Sequence, residues 1–143
     1  MKRCRYLFAS LSIITCFVIA ACSGTQQDVN KPVILKFWHP WGGYEGKALQ
    51  SLVEEFNTTH KHIRVETSQF SIGDKLLASI AGGKPPDIAT VWSYMVAPMG
   101  ESGAFMNLDK YYEKSGITAD TFLPHVWEHG LGNGHRWGVP TTL

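Results

Sequence analysis

The chain has 143 residues, 44% of them hydrophobic, with 13 Lys and Arg against 12 Asp and Glu. Three of the basic residues, Lys2, Arg3 and Arg5, fall within the first 21 positions, and the remainder carries 10 basic against 12 acidic residues, a net charge of −2. That balance excludes nucleic acid as an expected partner, and the length allows at most one domain of ordinary size with a sizeable core.

After the charged start, Leu7 to Ala21 is apolar and carries no charge. The run is too short to cross a bilayer, which takes about 20 apolar residues, and polar Ser23 to Lys31 follows at once, so residues 1–21 read as an export signal. Its end, Ile19-Ala20-Ala21-Cys22, resembles the bacterial lipobox: a branched apolar residue and two small ones that fit a narrow peptidase groove, then the cysteine that takes a diacylglycerol. Cys16, behind Ile14 and Thr15, fits that groove poorly. Cleavage before Cys22 leaves no other cysteine and no disulfide, and makes the membrane a partner through the N-terminal lipid, on the extracytoplasmic side. The plain alternative is an ordinary secretory signal followed by a free thiol. Residues 22–32, polar and without periodicity, are expected to be a flexible tether.

From position 33 the elements follow in order. Val33 to Trp38 is apolar, β-branched and aromatic, as in a strand buried on both faces of a parallel sheet. Ala48, Leu49, Leu52, Val53 and Phe56 share one helical face. Ile63 and Val65 alternate with Arg64 and Glu66 as a second strand. A short helix runs from Asp74 to Ile80 and ends at Gly82-Gly83. Pro85 and Pro86 cannot continue it, and Asp87 introduces a third strand, Ile88 to Trp92. Helices are expected over Val96–Glu101, Leu108–Lys114 and Ala119–Glu128, and Asn133-Gly134 is a hairpin turn leading into a last strand, His135–Val139. The alternation of strands and helices implies an α/β layered sheet with right-handed crossovers. Val139 to Leu143 is apolar and without a cap, so the chain is expected to be the front part of a longer protein.

Ligands of open α/β sheets sit outside the carboxyl ends of the strands, where loops converge and helix amino termini offer free N–H groups. Two loops qualify. In His39-Pro40-Trp41-Gly42-Gly43-Tyr44 paired glycines let the backbone approach a ligand, with Trp41 and Tyr44 as flat faces. In Trp92-Ser93-Tyr94 a hydroxyl stands between two aromatic rings. Rings beside hydroxyl and amide donors suit a sugar, whose C–H faces pack on aromatics while its hydroxyls take hydrogen bonds. Trp38, inside a strand pattern, reads as core instead. Trp41, Gly42, Trp92, Ser93 and Tyr94 are the candidate ligand contacts.

Three blocks then resemble the extracellular solute-binding proteins (family 1) that serve bacterial ABC importers, in the sugar-carrying branch. They are Leu35-Lys36-Phe37-Trp38-His39 with Gly42-Gly43 and the helix to Phe56-Asn57; Ala81-Gly82-Gly83-Lys84-Pro85-Pro86-Asp87-Ile88 with Glu101-Ser102-Gly103-Ala104-Phe105 and Leu108-Asp109; and Gly134-His135-Arg136-Trp137-Gly138-Val139-Pro140. The blocks come in family order and span about Val33 to Pro140. The resemblance implies a periplasmic-binding-protein-like (type II) α/β fold, of which residues 33–143 form an incomplete N-terminal lobe. It also implies a sugar or oligosaccharide as ligand, an ABC permease as partner, no cofactor and no catalysis.

Three rivals are weighed against it. His125-Val126-Trp127-Glu128-His129 matches the H-x-x-E-H pattern of a zinc peptidase class, but the glycine-rich stretch that follows offers no helix for a third metal ligand. Six histidines suggest instead a solute-binding lipoprotein for a metal ion or another non-sugar solute, yet they are scattered and no carboxylates cluster with them. The enzyme alternative is a secreted carbohydrate-active protein, although no acid and base pair is identifiable: Glu54-Glu55 lies on a helix surface.

Overall fold

A computed structural model describes residues 31–141; the signal segment, Cys22 and nearly all of the tether lie outside the described residues. The chain divides at Lys31/Pro32, and the unit that begins at Pro32 contains all the elements below.

Its centre is a three-stranded parallel sheet in the order β2-β1-β3, with β1 at Val33–His39, β2 at Ile63–Gln69 and β3 at Ile88–Ala89. Helix α1 (Gly43–Thr59) joins β1 to β2, and α2 (Asp74–Ala81) joins β2 to β3. Because β2 and β3 flank β1 on opposite sides, two right-handed crossovers put α1 and α2 on opposite faces of the sheet. The alternation of β1 matches this: Trp38 packs with the buried cluster of Phe70, Leu76 and Met99, while its neighbours Phe37 and His39 pack against each other. The first strand is not buried on both faces along its length, since Val33 is 60% and Ile34 49% exposed. Its burial is concentrated toward the carboxyl end, where His39 is buried.

Both outer sides of the sheet are held by polar side chains. Asn57 of α1 reaches the outer edge of β2, donating through Nδ2 to the Val65 carbonyl at 2.9 Å and accepting the Val65 N–H on Oδ1 at 2.8 Å. One amide thereby satisfies both groups of an edge residue, which blunts an otherwise open edge. On the other side, Asp87 accepts the Lys36 N–H on its carboxylate at 2.8 Å, while its own N–H donates to the Lys36 carbonyl at 3.0 Å. Pro85 and Pro86, which lack N–H groups, deliver Asp87 to that position.

The third strand is shorter than its apolar run predicts. After Ala89 a single further bond, Thr90 N–H to the Trp38 carbonyl at 2.9 Å, keeps the chain on β1. Trp92 is then the N-cap of helix α3 (Ser93–Glu101), so Ser93 and Tyr94 occupy a first helical turn and not a strand end. The expected helix over Ala119–Glu128 is also broken. Ala119–Thr121 forms one 3-10 turn, the chain extends at Phe122, and Pro124 starts a four-residue helix α5 (Pro124–Trp127) at its first position. Helix α4 (Asp109–Ser115) precedes these turns. Strands β4 (Leu131–Gly132) and β5 (His135–Arg136) pair antiparallel across Asn133-Gly134, whose positive φ values of 48° and 79° are those of the twisted two-residue hairpin turn. The last strand ends at Arg136, three residues before the expected Val139. No helix among the described residues is long and apolar enough to cross a membrane.

Candidate functional site

The carboxyl ends of β1, β2 and β3 converge on a cavity of about 540 Å³ lined by Pro40, the Gln69-Phe70-Ser71-Ile72 loop and Trp92. A second cavity, of about 170 Å³, lies between the start of α3 (Val91, Trp92, Ser93, Val96) and two later segments, His129-Gly130 and Gly138 to Thr141. Trp92 borders both. Its indole is 55% exposed, because an N-cap residue in extended geometry (φ −67°, ψ 144°) turns its side chain off the end of the helix and away from the core below.

The other candidates take different places. Ser93 lines the second cavity beside Trp92. Tyr94, one residue on in the same helical turn, is 74% exposed and lines neither cavity. Trp41 lines neither as well; its ring is stacked with His39 at 5.8 Å between centroids and 21° between planes. Gly42 marks a close approach: a Cβ there would come within 2.8 Å of Gln69 Nε2, and that amide donates to the Pro40 carbonyl at 3.4 Å. The Gln69 bond to Pro40 joins the first loop to the end of β2.

The loop after β2 was missed at the level of sequence, although the rule that selects carboxyl ends of strands applies to it equally. Gln69 and Ser71 bring an amide and a hydroxyl to the larger cavity, and nothing in Gln69-Phe70-Ser71 carries the glycine or tryptophan signal by which the other two loops stand out. His129 and Gly138 to Thr141 reach the smaller cavity only because the hairpin folds back on α3, a tertiary event without a local pattern.

That folding back is fixed by a polar clasp. Asp109, at the start of α4, accepts the Arg136 N–H on Oδ1 and the His135 Nδ1–H on Oδ2, both at 2.7 Å, and the Asn107 amide on Oδ2 at 3.0 Å. These bonds, the Arg136 N–H first, hold the Asp109 carboxyl at about 2, well below its ordinary 3.8. The Arg136 guanidinium lies 3.5 Å from the centroid of the Trp127 ring and donates to the Trp127 carbonyl, and the Tyr112 hydroxyl donates to the Gly138 carbonyl at 2.9 Å. Burial pushes the Tyr112 phenol up, so it stays a donor. Since the folded Asp109 pKa lies below the unfolded one, the clasp contributes fully above about pH 3.8 and is lost as pH falls through about 2. Asp109→Asn is therefore expected to lower the melting temperature near neutral pH, with the gap to the wild type closing as pH approaches about 2 in a pH series of thermal melts.

His125 and His129 have ring centroids 6.4 Å apart, but α5 ends at Trp127, so the H-x-x-E-H pattern is not carried on one helix. Among the described residues no group of three or more His, Cys, Asp or Glu could hold a metal ion.

The sequence model of the bacterial extracellular solute-binding proteins matches residues 41–142. An uncharacterised ABC transporter extracellular-binding protein of Pyrococcus horikoshii is 24% identical over 124 residues, 82% of this chain and 28% of its own length. Among solved structures, CpMnBP1 with mannotriose bound is 28% identical with a TM-score of 0.65, covering 73% of this chain and 27% of that one. The extracellular solute-binding protein family 1 structure from Alicyclobacillus acidocaldarius is 27% identical with a TM-score of 0.58, covering 74% and 27%. The chain thus spans less than a third of the length of the relatives it matches.

Proposed function

This chain belongs to the bacterial extracellular solute-binding protein family, and on that premise we propose that it forms one wall of a sugar site, in a protein that captures an oligosaccharide outside the cytoplasmic membrane for an ABC permease. The observation that carries this reading is Trp92: a half-exposed indole between two cavities, with Ser93 on one side and Gln69 and Ser71 on the other. A flat apolar ring flanked by hydroxyl and amide groups matches a pyranose, which has apolar C–H faces and a rim of hydroxyls. CpMnBP1, similar to this chain over the same elements, is solved with mannotriose. Trp41, Gly42 and Tyr94 are proposed as further contacts from the loops that rim these cavities.

The N-terminal segments fit the same role. Residues 1–21 are the export signal, Cys22 carries the lipid, the polar stretch to residue 32 is the tether, and the lobe follows from residue 33. A lipid on Cys22 keeps the lobe near a membrane permease. Cys22→Ala is expected to abolish palmitate labelling and to move the protein from the detergent phase to the aqueous phase. A variant that still labels and partitions into detergent overturns the anchor.

The binding reading is tested by incubating the intact protein with labelled oligosaccharides and following both retention and products. Stoichiometric retention of unchanged sugar supports capture, whereas new products make the protein an enzyme and overturn it. A sugar panel read by thermal shift identifies the ligand, because binding to the native state alone raises its apparent stability.

A further inference from the structure

His39 closes the central strand and is only 6% exposed. Two aromatics enclose it: Phe37, two residues back on the same face of β1, meets it edge-on at 5.9 Å and 67°, and Trp41, in the loop above, is stacked with it at 5.8 Å and 21°. Nδ1 of this ring is the buried side-chain nitrogen or oxygen that has no hydrogen-bond partner among the described residues. A buried imidazole nitrogen left unpaired is destabilising, and a phenyl ring of similar size would avoid that loss. What the imidazole does make is the stack with Trp41.

Trp41, in the turn between Pro40 and Gly42, is half-buried, and its ring stacks on that of His39. A ring that receives a sugar face binds best when its plane is set beforehand, because ordering it on binding detracts from affinity. We propose that His39 is a positioning residue of the binding site: its ring face holds the half-buried Trp41 indole flat above the carboxyl end of β1, leaving the opposite indole face to meet the sugar. This rests on the reading of Trp41 as a ligand contact, and it assigns His39 no contact with the sugar. The orphaned Nδ1 is then accounted for, since the residue acts through its ring face and not through a hydrogen bond.

The test uses the intact protein labelled with 5-fluorotryptophan, the 19F resonances of Trp41 and Trp92 being assigned by their loss in Trp41→Phe and Trp92→Phe. Mannobiose is the probe. His39→Ala and His39→Asn remove the ring, whereas His39→Phe keeps a ring without the nitrogens. The expected result is that both ring-removing variants shift the Trp41 resonance in the free protein and weaken mannobiose binding by about three- to tenfold, the scale of one lost aromatic pair. His39→Phe restores both readouts. A His39→Ala or His39→Asn variant that folds and leaves the Trp41 resonance in place overturns the proposal, as does a folded His39→Phe that fails to restore it. If mannobiose moves the Trp92 resonance of the wild type but not that of Trp41, the ligand role of Trp41 is overturned, and with it the positioning role of His39, while the capture reading survives. If mannobiose and a wider sugar panel move neither resonance, capture at this site is the reading that fails, and the free-state resonances of the His39 variants still decide the stack.

Discussion

Leu76→Ala is expected to lower the unfolding free energy by about 2–5 kcal/mol, the range for deleting a buried leucine side chain into a packed core. Leu76 is 1% exposed and touches the one buried cluster that ties three elements together: Phe70 from the loop after β2, Met99 from α3, and Trp38 from the central strand packed against them. The neighbouring position supplies the control. Leu77 is the same residue type one position further along the same helix, yet it is 47% exposed, so Leu77→Ala is expected to change stability by no more than about 0.5 kcal/mol. Urea denaturation of the pair measures both, with the midpoint moving and the slope constant if only the native state is affected. Equal losses at the two positions contradict the placement of α2. The cluster lies directly beneath the Gln69 to Ile72 loop, so a loosened Leu76 is also expected to disturb the larger cavity before the chain as a whole unfolds.

The same contrast between faces explains how far the sequence could be read. Helix α1 was legible because Leu49, Val53 and Phe56 repeat at helical spacing across a long segment, and β2 was legible because Ile63 and Val65 alternate with Arg64 and Glu66. The boundary at Trp92 was not. Ile88-Ala89-Thr90-Val91-Trp92 is apolar but for Thr90, and hydropathy cannot tell where a buried strand ends and a helix cap begins. The pairing with β1 ends at Trp38, whose carbonyl takes the Thr90 N–H. The break at Pro124 was readable in principle, since a proline favours the first turn of a helix over its interior. The exposure of Val33, Ile34 and Leu52, by contrast, contradicts their local patterns.

For the candidate site, the rule of strand carboxyl ends found the loops after β1 and β3 and passed over the loop after β2, whose Gln69 and Ser71 look like ordinary surface residues in sequence. The placement of Trp41 illustrates the limit from the other side. Its chemistry was legible, but its stack with His39 depends on the turn at Pro40 folding back over β1, which no periodicity encodes.

Trp92→Ala is expected to have the largest effect on capture, weakening oligosaccharide binding by roughly thirtyfold or more, the scale of an aromatic anchor lost from the centre of a site. The expectation follows from position: the indole is a wall of both cavities, so its removal deprives a ligand spanning them of contact on either side at once. It is more than half exposed, so the fold loses little with it. Titration calorimetry with mannobiose reads the affinity, and a melting curve without sugar separates binding from stability. Trp92→Phe is expected to recover part of the loss, because a smaller ring still offers an apolar face. Ser93→Ala, which removes one neutral hydroxyl beside the ring, is expected to cost only about three- to tenfold. An unchanged affinity in Trp92→Ala with an intact fold contradicts the central role of the indole and shifts the site toward Trp41 and the first loop. An equal loss in Ser93→Ala makes hydrogen bonding at the start of α3, and not stacking, the main source of affinity. The order of the three variants therefore distinguishes an aromatic platform from a polar clamp.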